Sequence, residues 1–201
     1  MESKKLSETA SISSGVFVKA KSQNLGIEEP NVVYVQASDV KDGALDLREL
    51  KPNVCMTKED QDKLDKHEHI LEDGDVLLIA KGTPRAVVYK TDDEKLVAVA
   101  STAFVVIRIS ESDRDRVSSE YLCWWLNSSY ARRFYQVSSA GVLPIKRLQD
   151  LEINIPTLEY QERFIKAVNA FKEQYLIKRE MLEKERELGI AKLEELVGMY
   201  R

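Results

Sequence analysis

Residues 138–162, SSAGVLPIKRLQDLEINIPTLEYQE, decide the fold because two differently built parts of the chain meet there. The alternation of Leu151, Ile153 and Ile155 predicts a short strand, since successive side chains of a strand point to opposite faces. Pro156 has no backbone donor and suits the first turn of a helix. The sequence therefore predicts that the strand ends at this proline and that a helix begins directly after it.

The composition indicates a folded protein without a membrane partner. The chain has 201 residues, of which 43% are apolar and 32% charged, so it can bury a sizeable core. No apolar run reaches the roughly 20 residues that a membrane-spanning helix needs. The two cysteines, Cys55 and Cys123, predict reduced thiols rather than a disulfide framework. We therefore expect a cytoplasmic protein, with one domain over residues 1–155 and a long helix over residues 156–201.

The charges are distributed unevenly along the chain. The net charge of −4 argues against a nucleic-acid partner when it is taken alone. Residues 28–75 contain fourteen acids and six bases, whereas residues 121–149 contain no acid and four bases. These four bases are Arg132, Arg133, Lys146 and Arg147. Such a segment is either ordinary core sequence that lacks acids or a surface for an anionic ligand, and charge alone does not decide between them.

Runs of β-branched residues predict the strands of the body. The predicted strands are an early one at residues 16–18, one of the main sheet at residues 31–41, and successive antiparallel partners at residues 76–80, 86–89, 96–100 and 101–109. Ser119 and Ser129 are the predicted N-caps of two short helices. Trp124, Trp125 and Phe134 are predicted to belong to the core. The expected fold is mixed α/β (α+β), with a largely antiparallel sheet, short helices and one long C-terminal helix.

The C-terminal segment predicts a helix from Leu158 to about Met199. Apolar residues recur at spacings of four, three and four over its first half, which is typical of a coiled-coil seam. The pattern weakens where residues 178–187 contain eight charges in ten residues, and returns after them. The seam residues are Phe164, Val168, Phe171, Tyr175, Leu182, Leu193 and Leu196. An isolated helix cannot bury such a face, so the pattern predicts a partner helix.

Few residues suggest catalysis. Asp75 with Asp93 and Lys95 resembles the acid and acid-x-lysine arrangement of a metal-dependent nuclease, in which two carboxylates hold the cation. His67 and His69 are two residues apart and point to different sides of a strand or helix, so they predict no shared metal. The chain also lacks the glycine-rich fingerprint of a nucleotide cofactor. We expect a binding protein without metal or cofactor, and the alternatives are this nuclease or a non-catalytic helical adaptor.

The order of these features resembles the specificity subunits of type I restriction-modification systems. The resemblance extends over nearly the whole chain, and its most specific part is residues 145–164. There the family has a basic or polar start, a leucine, an apolar strand, a proline-led link and a glutamine at the beginning of the helix. In this sequence these positions are Lys146, Leu148, residues 151–155, Pro156 and Gln161.

The resemblance implies a target recognition domain with a curved sheet that reads double-stranded DNA, followed by a conserved helix. Full-length members of the family contain this unit twice, and their two helices pack antiparallel and set the distance between two half-sites. The modification subunits, and with them the restriction subunit, assemble around the helices. One unit in this chain implies a half-length form that is non-catalytic and acts as a homodimer on a split palindrome.

The resemblance, together with the basic segment, also suggests which residues contact DNA. Arginine reads guanine by paired hydrogen bonds, lysine binds phosphate, and glycine permits close approach of the backbone. The candidate contacts are Lys81, Arg85, Arg132, Arg133, Gly141, Lys146 and Arg147. The loop that contains Lys81 and Arg85 departs from the family, which more often has glycines where this sequence has Thr83 and Pro84.

Overall fold

A computed structural model describes residues 2–18, 30–41, 44–45, 50–66, 69–93, 95–135 and 143–198 of the chain. These residues form two compact units, residues 1–158 and residues 159–201. The first unit is a mixed α/β body and the second is a single helix. The predicted fold class is therefore confirmed, whereas the roles assigned to residues 1–155 and 156–201 stay predictions.

The body consists of short strands and helices. The strands are β1 (Glu2–Lys5), β2 (Ala10–Ser14), β3 (Val32–Val35), β4 (Val40–Lys41), β5 (Ala44–Leu45), β6 (Val76–Ile79), β7 (Ala86–Val88), β8 (Val97–Ala100), β9 (Phe104–Ile109) and β10 (Glu152–Ile155). The helices are α1 (Leu6–Thr9), α2 (Lys58–Lys66), α3 (Ser119–Asn127), α4 (Ser129–Arg132), α5 (Ile145–Gln149) and α6 (Leu158–Gly198).

The main sheet has the strand order β2-β9-β6-β7, and its neighbouring strands are antiparallel. Strand β9 is central because it pairs with β2 on one side and with β6 on the other, with Ile107 opposite both Ile12 and Val76. Its residues are almost all buried, as expected for a strand whose two faces are covered. The predicted antiparallel pairing of residues 76–80 with residues 86–89 is confirmed.

Two predicted strands lie outside this sheet. Strands β3 and β8 pair with each other in parallel, with Val32 opposite Val97 and Val35 opposite Ala100. The prediction that residues 31–41 join the main sheet and that residues 96–100 continue its antiparallel pairing was therefore wrong. The β-branched pattern shows that a segment is extended and buried, but it does not specify its partner.

The core of the body lies between the parallel pair and the main sheet. Its buried side chains come from β3 and β8 and from the strands of the main sheet. Among them, Val33, Leu77, Tyr89 and Ala98 are fully buried. Burial of a valine or leucine side chain contributes roughly 1.5–3 kcal/mol, which makes this layer a main source of stability.

The N-terminal strand pairs with the last strand of the body. Strands β1 and β10 are antiparallel, with Glu2 opposite Ile155. Tyr121 of α3 donates a hydrogen bond to the carbonyl of Asn154 at 2.9 Å, which attaches a helix to the same strand. The predicted early strand at residues 16–18 was wrong, since Val16 forms only an isolated bridge with Ser101. Strands β1 and β2 are polar in sequence because much of their surface is exposed.

The two predicted short helices are present, but each starts one residue earlier than predicted. Ser118 accepts a hydrogen bond from the backbone N–H of Tyr121 and caps α3. Ser128 accepts one from the N–H of Ala131 and caps α4. Each cap is followed directly by a second serine, so the sequence offers two equivalent candidates and only the backbone geometry selects the first.

Gly15 lies where β2 passes close to the connection between β8 and β9. A Cβ atom there would stand 2.1 Å from the Ser101 carbonyl oxygen and 2.7 Å from that of Ala100. Gly15→Ala is expected to lower the free energy of unfolding by about 3 kcal/mol, measured by urea denaturation, because rigid backbone must move. Gly189→Ala is the matched control, since its Cβ would have no neighbour within 4 Å. Equal effects of the two substitutions would contradict this account.

The second unit is the 41-residue helix α6, which is about 60 Å long at 1.5 Å per residue. It begins two residues after Pro156, as predicted, and its last described residue is Gly198. Salt bridges between residues four apart, such as Glu180–Lys184 at 2.8 Å, stabilise it as a helix. None of the helices in the described part of the chain is both long and apolar enough to span a membrane.

Candidate nucleic-acid interface

The sequence-predicted bases lie on three separate segments of the body. Lys81 and Arg85 lie in the loop between β6 and β7, which we call the basic loop (residues 81–85). Arg132 and Arg133 lie at the end of α4, and Lys146 and Arg147 lie on α5. Gly141 lies outside the described residues.

Hydrogen bonds join these three segments. The N–H of Leu143, just before α5, donates to the carbonyl of Ala80 at 2.9 Å, directly before the basic loop. At the other end of the loop, the side chain of Asn127 bonds both backbone groups of Ala86, at 3.0 and 2.8 Å. Asn127 ends α3, and α4 follows immediately. The loop is therefore attached to both other basic segments.

A surface cleft of about 480 Å³ brings three of the bases together. It is lined by Arg133, Phe134, Pro144, Lys146, Arg147, Asp150 and Leu151. The one carboxylate among these residues, that of Asp150, lies 3.5 Å from the ammonium group of Lys5. The remaining charge of the lining is positive, so the cleft favours an anionic ligand.

All six described candidates, Lys81, Arg85, Arg132, Arg133, Lys146 and Arg147, are exposed. None of them forms an ion pair with another residue that the structure describes. Other bases of the body are paired, as Lys4 is with Asp113 at 3.4 Å and Lys90 with Glu120. Since the six have no ion-pair partner to give up among the described residues, they are available for phosphates.

Two exposed aromatic rings accompany these bases. Tyr130 and Phe134 are 48% and 46% exposed, and their ring centroids are 5.3 Å apart in an edge-to-face arrangement. Tyr130 also packs edge-to-face on Trp125, which is buried. The prediction that Phe134 belongs to the core was wrong, because α4 ends before it and directs its ring into the cleft. The exposed hydroxyl of a tyrosine beside basic side chains suits a hydrogen bond to a DNA phosphate.

Tyr135 has a structural role next to the cleft. Its hydroxyl donates a 2.7 Å hydrogen bond to the carbonyl of Leu126, in the last turn of α3. Burial raises the pKa of Tyr135 well above its usual range, so the hydroxyl stays protonated at neutral pH. The bond satisfies a carbonyl that the end of the helix leaves without a partner and fixes the segment that follows α4.

Asp75 and Asp93, the acids of the nuclease alternative, form hydrogen bonds within the body. Both oxygens of Asp75 accept hydrogen bonds from Arg108, each at 2.8 Å, and the Asp75 side chain is 1% exposed. Asp93 accepts a hydrogen bond from the N–H of Lys95 at 2.9 Å, which forms a local turn. Within the described ranges, no group of three or more His, Cys, Asp or Glu side chains is placed to hold a metal ion. The geometry of Asp75 is that of a buried structural ion pair.

The Asp75–Arg108 pair provides a stability test. Arg108→Lys is expected to lower the free energy of unfolding by about 2 kcal/mol in urea denaturation, because lysine cannot form the paired contacts of a guanidinium group. Arg114→Lys is the control, since Arg114 is 54% exposed and contacts Glu72 at 3.2 Å. Its substitution is expected to cost less than about 0.5 kcal/mol. A smaller loss for Arg108→Lys than for the control would disprove a structural role.

The predicted seam of α6 is largely exposed. Phe171, Tyr175, Leu182, Leu193 and Leu196 are 78%, 66%, 65%, 64% and 53% exposed, respectively. Phe164 and Val168 are partly buried, and the ring of Phe164 stacks on that of Tyr160 at 6.2 Å. Exposed apolar side chains in this number on one helix are typical of an interaction surface rather than of a solvated helix.

Sequence reasoning missed the residues that connect the basic segments. No sequence pattern singled out Asn127, although its side-chain amide has the donor and the acceptor needed to pair with a backbone amide group. The contact of Leu143 with Ala80 leaves no signal in the sequence, since it joins backbone atoms 63 residues apart (143 − 80). Asp150 could have been noted as the acid nearest to Lys146 and Arg147, but its pairing with Lys5 depends on the fold.

Three solved structures share the fold of this chain. A chain of a type I R-M system, solved to explain complex assembly and conformational transition, matches with a TM-score of 0.64 and 20% identity over 93% of this chain. The HsdS subunit from Thermoanaerobacter tengcongensis matches with a TM-score of 0.57 and 18% identity over 86% of this chain. The type I restriction-modification system S subunit from M. genitalium matches with a TM-score of 0.50 and 12% identity over 88% of this chain.

The similarity concerns three-dimensional structure. No protein-family model and no curated protein sequence matches the chain. The chain spans 42%, 37% and 41% of the lengths of the three solved chains, which is less than half in each case. Most of the described chain is nevertheless part of the match, including both the α/β body and the long helix. The chain thus has the fold of the S subunits of type I restriction-modification systems.

Proposed function

We propose that the chain is a non-catalytic specificity subunit of a type I restriction-modification system that binds double-stranded DNA in a sequence-specific manner. One observation supports this above all. Six exposed bases without an ion-pair partner among the described residues lie on three segments that hydrogen bonds connect. Such a surface can contact several phosphates at once, while arginines can also read base edges.

The cleft supports DNA binding by a chain whose net charge is negative. The net charge of −4 repels the duplex at long range, but at about 0.15 M salt this repulsion is screened beyond roughly 8 Å. Contacts at the cleft are made within that distance, so local charge controls them. Binding by the chain alone is expected to be weak and strongly dependent on salt, and the partner subunits add further contacts.

The long helix supports a homodimer. The side chains of Phe171, Tyr175 and Leu182 in its apolar seam are largely exposed. A second copy provides the same surface, and two-fold symmetry places two recognition domains on one DNA molecule. The dimer then reads two half-sites of a split palindrome, and its helices direct the modification subunit, and with it the restriction subunit.

The test is selection from a random duplex pool, with the chain alone and with its modification subunit. The expected result is a split inverted repeat. A plot of log Kd against log salt should have a slope on the order of 5 for six phosphate contacts. A chain that shows no preference for any duplex, alone or with its partner, would rule out the proposal. Light scattering gives the oligomeric state, and a monomer at micromolar concentration would rule out the homodimer.

A further inference from the structure

Asn127 holds one end of the basic loop. Its Oδ1 accepts a hydrogen bond from the N–H of Ala86 at 3.0 Å, and its Nδ2 donates to the carbonyl of Ala86 at 2.8 Å. Nδ2 also donates to the carbonyl of Cys123 at 3.0 Å, one turn earlier in α3. The amide thereby pairs with the backbone as a neighbouring strand would, and the third bond fixes its orientation.

The position of this pairing matters because Ala86 directly follows Arg85. The carbonyl of Arg85 accepts a hydrogen bond from the N–H of Ile79 at 2.8 Å, which closes the loop across the ends of β6 and β7. Inside the loop, Gly82 has φ +82°, a conformation that side-chain-bearing residues rarely adopt. The backbone of the loop is therefore set at its ends, and Asn127 sets the end beside Arg85.

The last turn of α3 also organises the other basic segment. Leu126 accepts the hydrogen bond of Tyr135, Asn127 binds Ala86, and Ser128 caps α4, which carries Arg132. Three consecutive residues thus fix the loop on one side and the arginines on the other. A change at Asn127 is therefore expected to loosen the end of the loop beside Arg85 and to leave the cap and the tyrosine bond in place.

We propose that Asn127 is a positioning residue of the DNA interface, which acts by holding Lys81 and Arg85 in register with Arg132 and Arg133. The inference rests on the proposed function. It predicts that the side chain of Asn127 affects DNA binding through Lys81 and Arg85, without a contact of its own with DNA. Pre-organisation of charged groups strengthens binding, because basic side chains that are fixed before binding lose less conformational entropy when the complex forms.

The chain supplies a matched control. Asn53 makes the same pair of bonds with Tyr34 of strand β3, accepting from its N–H at 2.7 Å and donating to its carbonyl at 3.2 Å. Tyr34 is far in sequence from every basic segment of the interface. Asn127→Ala and Asn53→Ala therefore remove the same kind of backbone pairing, one at the basic loop and one elsewhere.

The experiment is a double-mutant cycle, with DNA affinity measured by fluorescence anisotropy on the selected duplex. Asn127→Ala is expected to weaken binding about tenfold in the wild-type chain and less than about twofold when Lys81 and Arg85 are both glutamine. It is also expected to lower the slope of log Kd against log salt by about 2, as if two contacts were lost. Asn53→Ala should change neither quantity.

An undiminished tenfold loss in the Lys81→Gln, Arg85→Gln background would overturn the inference, as would full affinity of Asn127→Ala. Amide hydrogen exchange provides a readout that does not depend on DNA. Protection of the Ile79 and Ala86 N–H groups should fall in Asn127→Ala and persist in Asn53→Ala. If the wild-type chain binds no duplex, the proposed function fails, and exchange alone then decides whether Asn127 positions the loop.

Discussion

Replacement of Arg133, Lys146 and Arg147 by glutamine is expected to weaken DNA binding about 1,000-fold at physiological salt, since each lost contact costs on the order of 1–3 kcal/mol. The three side chains line one cleft, so a phosphate backbone that enters it contacts them together. Glutamine keeps most of each side-chain stem, and all three residues are exposed, so the fold should be preserved. The slope of log Kd against log salt should fall by about 3.

The control for this prediction has the same change in charge. Lys51, Lys58 and Lys66 are exposed and form no ion pair with a residue that the structure describes. Their replacement by glutamine should reduce affinity less than about threefold, because none of them lines the cleft and exposed charges contribute little to contacts that they do not make themselves. A similar loss in both triple variants would show that only the overall charge matters, and would disprove a localised interface.

Phe171→Glu combined with Tyr175→Glu is expected to convert the proposed dimer into a monomer at micromolar concentration. The two side chains are 78% and 66% exposed and lie about 40° apart around the helix, with Leu182 between them in projection. In a two-fold interface each substitution occurs twice, so four carboxylates would be buried or brought together. Sedimentation should show the mass fall from about twice 23.0 kDa to 23.0 kDa.

A matched pair on other faces of the same helix tests which face is used. Leu176 and Ile177 are 57% and 53% exposed, and each lies about 100° or more around the helix from Phe171 and from Tyr175. Leu176→Glu with Ile177→Glu should leave the proposed dimer intact. A dimer that survives the seam substitutions and is lost with this pair would place the interface on a different face. The monomeric seam variant should also bind a duplex with two half-sites no better than a duplex with one.

The sequence was most informative about features that depend only on residues close to one another in the chain. Pro156 predicted the start of the long helix, because a missing donor and a fixed φ act within one or two residues. The spacing of the apolar residues predicted a seam that the structure leaves largely exposed. The caps of α3 and α4 were each predicted one residue late, since Ser118 and Ser128 are followed by serines that satisfy the same rule.

The sequence predicted which basic residues belong to the candidate interface, but not how they are arranged on the surface. The absence of acids in residues 121–149 identified Arg132, Arg133, Lys146 and Arg147 from sequence. Their assembly depends on contacts between distant backbone atoms, which leave no pattern in the chain. The same holds for the exposed ring of Phe134, because whether an aromatic residue is core or surface depends on where the preceding helix ends.

The sequence by itself determined the class of the body, its antiparallel hairpin of β6 and β7, the break at Pro156 and the apolar face of the long helix. These features depend on residues close to one another in the chain, whose steric and hydrophobic preferences act locally. Only the tertiary structure decided that β3 pairs with β8 in parallel, that Arg108 neutralises Asp75, and that hydrogen bonds of Asn127 and Leu143 connect the three basic segments. Those choices depend on pairing and burial between residues far apart in sequence, whose partners are chosen only when the whole core forms.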